Sequence, residues 1–310
     1  MTATAFTDVR PPEPARPVVV VTTRARRAPS GPAPLASASL SILAAVLLGF
    51  VAYVTVIGHV THARDQQVLY ADLRQQLAEA TAPVGQTGAD GGLLPLGTPV
   101  ALLEVPGLGL REVVVEGTTS GVLRSGAGHR RDSVLPGQAG TSVLFGRKAG
   151  FGSPFADIAA LPTGTPFFVT TGQGRHEFRV SGRRGGGDPA PAPLAPGKGR
   201  LTLVTATGPS YLPEGALRVD ADLVTPAQPV PARPLTSASL PEAEQALQGD
   251  TTVLLAVLLW LQGLVLAACG VAWARARWGR RQAWVVGVPL LGSMGLGLAG
   301  SAVQLLPNLL

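Results

Sequence analysis

The sequence predicts an all-β domain flanked by membrane-spanning helices. Three apolar runs are each long enough to cross a bilayer, and short β-rich segments separated by glycine- and proline-rich turns lie between the first run and the second. The composition, 46% apolar over 310 residues, allows one soluble domain in addition to three spans. We therefore expect one transmembrane helix before the domain and two after it.

The three apolar runs predict transmembrane helices over residues 39–60, 251–274 and 283–306. Each run is about as long as a bilayer is thick, and none contains Asp, Glu, Lys or Arg. One such run could also form a buried core helix, but three of them favour membrane insertion. The first run has no small-residue cleavage site at its far end, so we expect a retained anchor rather than a removed signal peptide.

The net charge of +6 is distributed in a way that predicts topology rather than an anionic partner. Residues 1–38 hold five arginines and two acids, and the short loop at 275–282 holds four more arginines. The other 16 cations and 17 acids all fall within residues 61–250, which are nearly neutral. The positive-inside rule places the N-terminal tail and the loop in the cytoplasm, and the all-β domain and the C-terminus outside. This balance argues against a nucleic-acid partner for the domain.

Composition predicts the boundaries of the segments between the spans. They are a disordered cytoplasmic tail at 1–38, an extracellular stalk helix and linker at 61–97, the all-β domain at 98–224, a second linker at 225–250 and a cytoplasmic loop at 275–282. In the stalk, Leu69, Leu73 and Leu77 recur at helical spacing among polar residues. Such a narrow stripe fits either a solvated helix or a docking face for a partner.

Inside the domain, short runs bounded by turn residues are typical of a compact barrel or sandwich. Strands are expected at 99–105, 112–116, 141–147, 165–171, 175–181, 200–206 and 216–224. One short helix is expected at 155–161, and the Gly/Pro-rich residues 182–199 are expected to form a long loop. The single cysteine, Cys269, lies in the second apolar run, so no intramolecular disulfide can form.

Several segments of the domain together resemble one known family. The segment 201–206 (LTLVTA) resembles the strand that ends in the catalytic cysteine of sortases, and 140–147 (GTSVLFGR) resembles the strand that closes with their catalytic histidine. Further matches, in the family's order, are 102–110 (LLEVPGLGL), 113–117 (VVVEG), 126–129 (GAGH), 135–138 (LPGQ) and 151–157 (FGSPFAD). Together they span roughly residues 98–224 and are most similar to class E sortases of high-GC Gram-positive bacteria. The resemblance implies a sortase-like β-barrel, in which the long loop at 182–199 either walls a substrate groove or is a plain flexible connection.

The same resemblance implies that sortase chemistry has been lost. Ala206 stands at the position of the nucleophilic cysteine and Arg147 at that of the histidine, and aligning the last strand places Ala216 at the family's arginine. Alanine cannot form a covalent intermediate, and a guanidinium does not exchange protons near neutral pH. We therefore expect no catalytic residues. The vestigial site is expected to bind a peptide or partner through Arg147, Lys148, Ala206 and Arg218, although Arg147 could instead only cap the strand end.

Replacement nucleophiles are the alternative to lost chemistry. Thr205, Thr207 and Ser210 are hydroxyls near the vacated position, but a hydroxyl needs an adjacent base, and the family pattern places none. His129 matches a histidine that is not catalytic in the family. The four histidines are scattered without ligand spacing, so neither a metal nor another cofactor is expected.

These observations predict a membrane-anchored, catalytically inactive sortase-like protein that acts as an extracytoplasmic scaffold or binding module in cell-envelope protein assembly. Its expected surroundings are the lipid bilayer and another membrane or secreted envelope protein, or a sorting-signal-like peptide. The first alternative is an active, cysteine-independent transpeptidase or peptidase with a Thr or Ser nucleophile. In the second, the three spans carry the function and the domain is a spacer.

Overall fold

The computed structural model describes residues 44, 46–88, 90–278 and 280–310. The predicted cytoplasmic tail at 1–38 lies outside the described residues. The all-β prediction is confirmed, because eight strands close into a barrel in the order β1-β2-β3-β4-β7-β8-β6-β5. The strands are β1 Pro99–Val105, β2 Leu110–Glu116, β3 Ala127–His129, β4 Gly140–Phe145, β5 Pro166–Thr171, β6 Gly174–Arg184, β7 Gly199–Thr207 and β8 Gly215–Leu223.

Two of the strand pairs are parallel, β2 with β3 and β4 with β7, and the other pairs are antiparallel. The β4–β7 pair matters most for the site, because parallel strands end at the same edge of a sheet. Seven of the strands lie where the sequence predicts them. The additional strand, β3, has only three residues, which is too short to give an alternating pattern.

Alternate residues of the strands fill the barrel interior. In β1 the side chains of Ala101, Leu103 and Val105 are fully buried. Between β5 and β6 the rings of Phe167 and Phe178 stack with centroids 5.7 Å apart. A slip of one residue in any of these strands would turn its buried side chains outward, so the core fixes the register that positions the site.

The prediction of a helix at 155–161 is wrong. Only a single 3₁₀ turn forms there, at Ile158–Ala160. Leu161, which precedes Pro162, has the extended angles φ −65° and ψ 117°. A proline disfavours the helical conformation of the residue before it, so the turn cannot continue.

The first helical segment packs on the barrel instead of standing away from it. A π-helical turn at Tyr53–Ile57 leads into α1, Gly58–Ala78. Leu73 is buried, and the Gln66 side chain bonds to backbone atoms of Val113 and Ser125 at 2.7–3.2 Å. The apolar stripe of the stalk therefore faces the chain's own barrel. The sequence had suggested either a solvated helix or a docking face for a partner.

Two further helices follow the barrel, α2 at Leu254–Trp278 and α3 at Arg280–Ala302. With the segment Val46–Ala78 they are the three described helices that are long and apolar enough to cross a membrane. α2 and α3 pack on each other where glycines leave room, since Gly297 lies against the Trp260 ring and Gly263 against Met294. The predicted loop at 275–282 is helical at both ends, because arginine, alanine and glutamine are good helix formers.

The predicted linker at 225–250 also lies on the barrel. Gln228 forms a bridge with Gln138, and Gln86 holds the backbone of Leu235 by two hydrogen bonds of 3.1 and 2.9 Å. After α3, a 3₁₀ turn at Val303–Leu305 directs the last five residues of the chain back to the barrel. These connecting segments decide how open the candidate site is.

Candidate functional site

The candidate site lies at the edge of the barrel where β4 and β7 end side by side. The parallel ladder pairs Phe145 with Val204. Arg147 and Ala206 each follow that pair by two residues, so both predicted positions lie at the same edge. Across the antiparallel β7–β8 ladder, Ala206 pairs with Ala216. The fold thus brings together the three positions that the resemblance assigns to the catalytic residues.

Arg147 is buried without an acidic partner. It is 1% exposed, and its Nη2 donates to the carbonyl oxygen and to the hydroxyl of Ser120, each at 2.8 Å. The guanidinium carbon lies 5.2 Å from the centre of the Phe151 ring, and that of Arg124 lies 5.3 Å from it. Burial, together with the neighbouring charge of Arg124, lowers the pKa of Arg147 to about 9. Among the residues that the structure describes, no carboxylate forms an ion pair with it.

Ala206 is covered by the C-terminal end of the chain. It is 3% exposed and belongs to an apolar cluster with Leu309, which is fully buried. The other members of this cluster, which we call the Leu309 pocket, are Leu123, Phe145, Val204 and Ala216, with Val143, Ala246 and Leu247 packed against them. A substrate carbonyl could not approach Ala206 while Leu309 occupies this pocket.

Polar contacts hold the C-terminal residues in place. Asn308 is fully buried, and its Nδ2 donates to the carbonyl oxygens of Thr118 at 2.7 Å and Gln245 at 2.8 Å. Its Oδ1 accepts from the backbone N–H of Leu247 at 2.9 Å. The Leu309 carbonyl accepts from the backbone N–H of Lys148 at 3.1 Å. The Lys148 ammonium itself contacts the carbonyl of Gly208.

Arg218 lines an open groove of about 380 Å³ that adjoins the covered end, because Phe145 and Val204 belong both to this groove and to the Leu309 pocket. The groove is also lined by Arg130 and Arg184, which pair with Asp132 at 2.8 Å and Asp220 at 2.7 Å. Arg218 has no hydrogen-bond or ion-pair partner within the described part of the chain. Partial burial is the main cause that lowers the pKa of Arg218, and the nearby charge of Arg184 lowers it further. Of the four predicted binding residues, three therefore lie under or beside the C-terminal residues, and Arg218 faces the open groove.

The hydroxyls considered as replacement nucleophiles are not activated. Thr205 is 2% exposed, and its Oγ1 donates to the carbonyl of Gly146 at 2.9 Å. Thr207 and Ser210 are reached by solvent, but neither hydroxyl contacts a histidine or carboxylate that the structure describes. Each hydroxyl thus lacks the adjacent base that a weak nucleophile requires.

A buried Ser–His–Glu arrangement elsewhere in the barrel went unnoticed in the sequence. Ser133 Oγ lies 3.1 Å from His129 Nε2, and His129 Nδ1 lies 2.8 Å from Glu116 Oε2. Sequence spacing gave no sign of it, because β2 contributes Glu116 and the short strand β3 contributes His129.

Hydrogen bonding excludes this trio as a nucleophile and base. His129 Nε2 also bonds to the carbonyl oxygen of Val134 at 2.9 Å, so it carries a proton, and Nδ1 donates to Glu116. Burial alone would lower the pKa of His129, but the charge and hydrogen bond of Glu116 outweigh it and raise that pKa. An imidazolium cannot accept the Ser133 proton, which is donated to the Arg130 carbonyl at 2.7 Å. His129 and Glu116 form a buried ion pair that supports the barrel, and Ser133 is hydrogen-bonded beside it.

No group of three or more His, Cys, Asp or Glu side chains suited to a metal ion occurs in residues 46–88, 90–278 and 280–310. Cys269 is exposed on α2. The described side chains at the site are apolar residues with Arg147, Lys148, Ser120 and Asn308, which do not suit a metal.

Residues 103–222 match the sortase domain family. The match runs from β1 to β8 and therefore covers nearly the whole barrel, but less than half of the chain. It includes Arg147, Ala206 and Ala216. No curated protein matches the chain.

Solved sortase structures also resemble the barrel. The Clostridium perfringens sortase D5 transpeptidase is 18% identical, with a TM-score of 0.44, over 52% of this chain and 99% of that one. Clostridium perfringens sortase C, solved with a C-terminal cell wall sorting motif, is 20% identical, with a TM-score of 0.40, over 52% and 89% of the two chains. Sortase A from Corynebacterium diphtheriae is 18% identical, with a TM-score of 0.38, over 62% and 96%.

Proposed function

We propose that this chain is a membrane-anchored, sortase-like protein without sortase catalysis, which acts as an extracytoplasmic scaffold or binding module in cell-envelope protein assembly. The class E similarity and the assignment of Ala206 and Arg147 to the catalytic positions belong to this proposal. So does the placement of the barrel outside the cytoplasmic membrane of a Gram-positive bacterium.

One observation carries the proposal: the position where β7 would present a nucleophile is an alanine, and a leucine of the same chain covers it. An acyl-transfer enzyme needs an exposed, activated nucleophile and a base that exchanges protons. Ala206 supplies neither a thiol nor a hydroxyl. The buried Arg147 is held by Ser120 and cannot act as a base near neutral pH, even with its lowered pKa.

The contacts of the C-terminus support the proposed topology. The two ends of the α2–α3 hairpin meet each other, since the N–H of Asp250, before α2, donates to the carbonyl of Gln304, after α3, at 2.8 Å. The end after α3 also meets the barrel domain, where Ser120 Oγ donates to the carbonyl of Val303 at 3.3 Å. Leu309 then contacts the barrel itself. A hairpin that leaves and returns to one side of the bilayer places the C-terminus with the domain, as the charge distribution predicts.

A partner surface is offered by the open groove at Arg218. The three arginines of this groove are balanced by only two acids, and the Arg218 guanidinium has no described partner. A planar guanidinium forms its strongest pairs with carboxylates. We propose that an acidic group of a peptide or of a partner protein binds here, in line with the predicted binding role of Arg218.

A peptide turnover assay tests the loss of catalysis. The full-length protein in mild detergent is incubated with a fluorogenic peptide that carries a cell wall sorting motif, and an active sortase serves as the positive control. We expect no cleavage or transfer above the rate without protein. Turnover that disappears in Thr205→Ala or Ser210→Ala would establish the enzymatic alternative instead.

A pull-down tests the binding role. The full-length protein and its Arg218→Glu variant are recovered from native membranes in mild detergent, with Arg179→Glu, an exposed arginine elsewhere on the barrel, as the control. We expect an envelope protein to be recovered with the intact chain and the control, and to be lost with Arg218→Glu. If replacing the three spans with unrelated ones removes the partner while Arg218→Glu does not, the spans carry the function.

A further inference from the structure

The last five residues, which we call the C-terminal tail (residues 306–310, Leu-Pro-Asn-Leu-Leu), bind the barrel as a peptide ligand binds a groove. The tail follows the 3₁₀ turn at Val303–Leu305, and Pro307 prevents that turn from continuing as a helix. Three of its side chains, Asn308, Leu309 and Leu310, are 0%, 0% and 6% exposed.

Leu309 is the apolar anchor of the tail. It belongs to one buried apolar cluster with the cross-strand pair Ala206 and Ala216 and with Leu123, Phe145 and Val204. Its carbonyl accepts a hydrogen bond from Lys148 N–H just beyond the end of β4. A buried leucine beside a main-chain hydrogen bond is an arrangement by which grooves select an extended peptide.

Asn308 supplies the polar selectivity. Its side chain makes three hydrogen bonds, two as donor and one as acceptor, all with backbone groups of residues 118, 245 and 247. An aspartate would face two carbonyl oxygens with no hydrogen to donate, and a leucine would leave the Thr118 carbonyl and the Leu247 N–H without the partner that Asn308 provides. The site therefore selects an amide side chain at position 308.

Leu306 and Leu310 meet the first membrane helix. They line an apolar cavity of about 380 Å³ together with Phe50, Val54 and Tyr211. The peptide site is therefore built from three parts of the chain: the barrel edge, the segment at 245–247, and the beginning of the helical region before α1.

We infer that the edge of the barrel at Ala206 is a peptide-binding site for a Pro-Asn-Leu-Leu sequence, and that residues 306–310 of the same chain are its resident ligand. This inference deepens the proposed binding role by naming the ligand of the covered half of the site. Its test does not depend on whether the protein turns over a substrate. A tethered ligand has an effective concentration on the order of millimolar, so the intact chain excludes a free peptide of similar affinity.

The experiment compares full-length protein in mild detergent with a chain that ends at Leu305. The probe is a fluorescein-labelled Leu-Pro-Asn-Leu-Leu peptide, and binding is read as fluorescence anisotropy. We expect saturable binding to the shortened chain and at least about tenfold weaker binding to the intact chain. A matched peptide with Asp in place of Asn is expected to bind the shortened chain at least about tenfold more weakly, because two donated hydrogen bonds are lost.

A second variant keeps the full length. Asn308→Asp with Leu309→Asp should release the tail and open the site, whereas the exposed change Leu212→Asp should leave it closed. Equal binding of the peptide to the intact chain, or no binding to either opened variant when both retain the melting transition of the barrel, would overturn the inference. If the opened variants lose that transition, millimolar peptide added in trans should restore it, since a ligand of the folded state stabilises that state. Failure of this rescue would equally refute a peptide site.

Discussion

Leu309→Ala is the most direct measure of how strongly the C-terminal tail is held. The leucine is fully buried among Leu123, Phe145, Val204, Ala206 and Ala216, so the substitution removes buried methyl groups and leaves a cavity. Such changes cost about 2–5 kcal/mol in well-packed cores. Three neighbours of the cluster, Val143, Ala246 and Leu247, are only partly buried and can shift into the space, which favours the lower end, about 2–3 kcal/mol. For a protein of this size that corresponds to a fall of roughly 4–10 °C in the melting temperature.

The assay is thermal unfolding of the full-length protein in detergent, followed by circular dichroism. The matched control is Leu212→Ala, because Leu212 is 69% exposed and its loss should shift the midpoint by less than about 1–2 °C. The tail is not held as described if Leu309→Ala and Leu212→Ala melt together. An unchanged midpoint with a faster hydrogen exchange at Lys148 N–H would show that the tail contributes local order only.

Three further predictions concern buried groups near the site. Pairing with Glu116 raises the pKa of His129 above its ordinary value of 6.5. The ion pair therefore stabilises the folded chain below about pH 6.5, and this contribution is lost as the pH rises through the raised pKa. The melting temperatures of the intact chain and of His129→Gln should converge toward alkaline pH. Arg147→Met should leave the melting temperature unchanged or raise it, because the guanidinium is buried without an acid, whereas Arg131→Met should lower it, because Arg131 pairs with the buried Glu244 at 3.4 Å. A cysteine introduced by Ala206→Cys in a Cys269→Ala background should react with maleimide much more slowly than free cysteine, and faster once residues 306–310 are removed; rapid labelling of the intact chain would contradict the cover by Leu309.

The barrel could be predicted from sequence because its strands are short, apolar and separated by turn residues. Seven strands were located in this way, and β3 was missed because three residues carry no periodicity. The false helix at 155–161 shows the limit of composition, since the decisive feature was Pro162 acting on Leu161. The spacing of Leu69, Leu73 and Leu77 predicted the apolar face of the helix. It could not predict that this face packs on the barrel, because periodicity identifies an apolar face but not the surface that covers it.

The covered site could not be predicted from local sequence. The tail residues continue an apolar span, and its contact with β7 joins residues about a hundred positions apart. One signal was present in β7, where apolar residues occupy both faces of the strand. A strand with one solvated face alternates, so a strand buried on both faces predicts a cover on the outside. The identity of that cover depends on tertiary structure.

The two alanines of the site and the docked tail pack together in one apolar cluster. Ala206 and Ala216 face each other across β7 and β8, and directly opposed side chains have Cβ atoms only ~5 Å apart. Under the proposed assignment of these two positions, a cysteine and an arginine would fill that space in a catalytic sortase. The methyl groups of the two alanines leave that space to Leu309. Leu123, Phe145 and Val204 complete the cluster around it. Introducing long side chains at these two positions would therefore have to expel the tail, because protein interiors do not absorb the extra volume without strain.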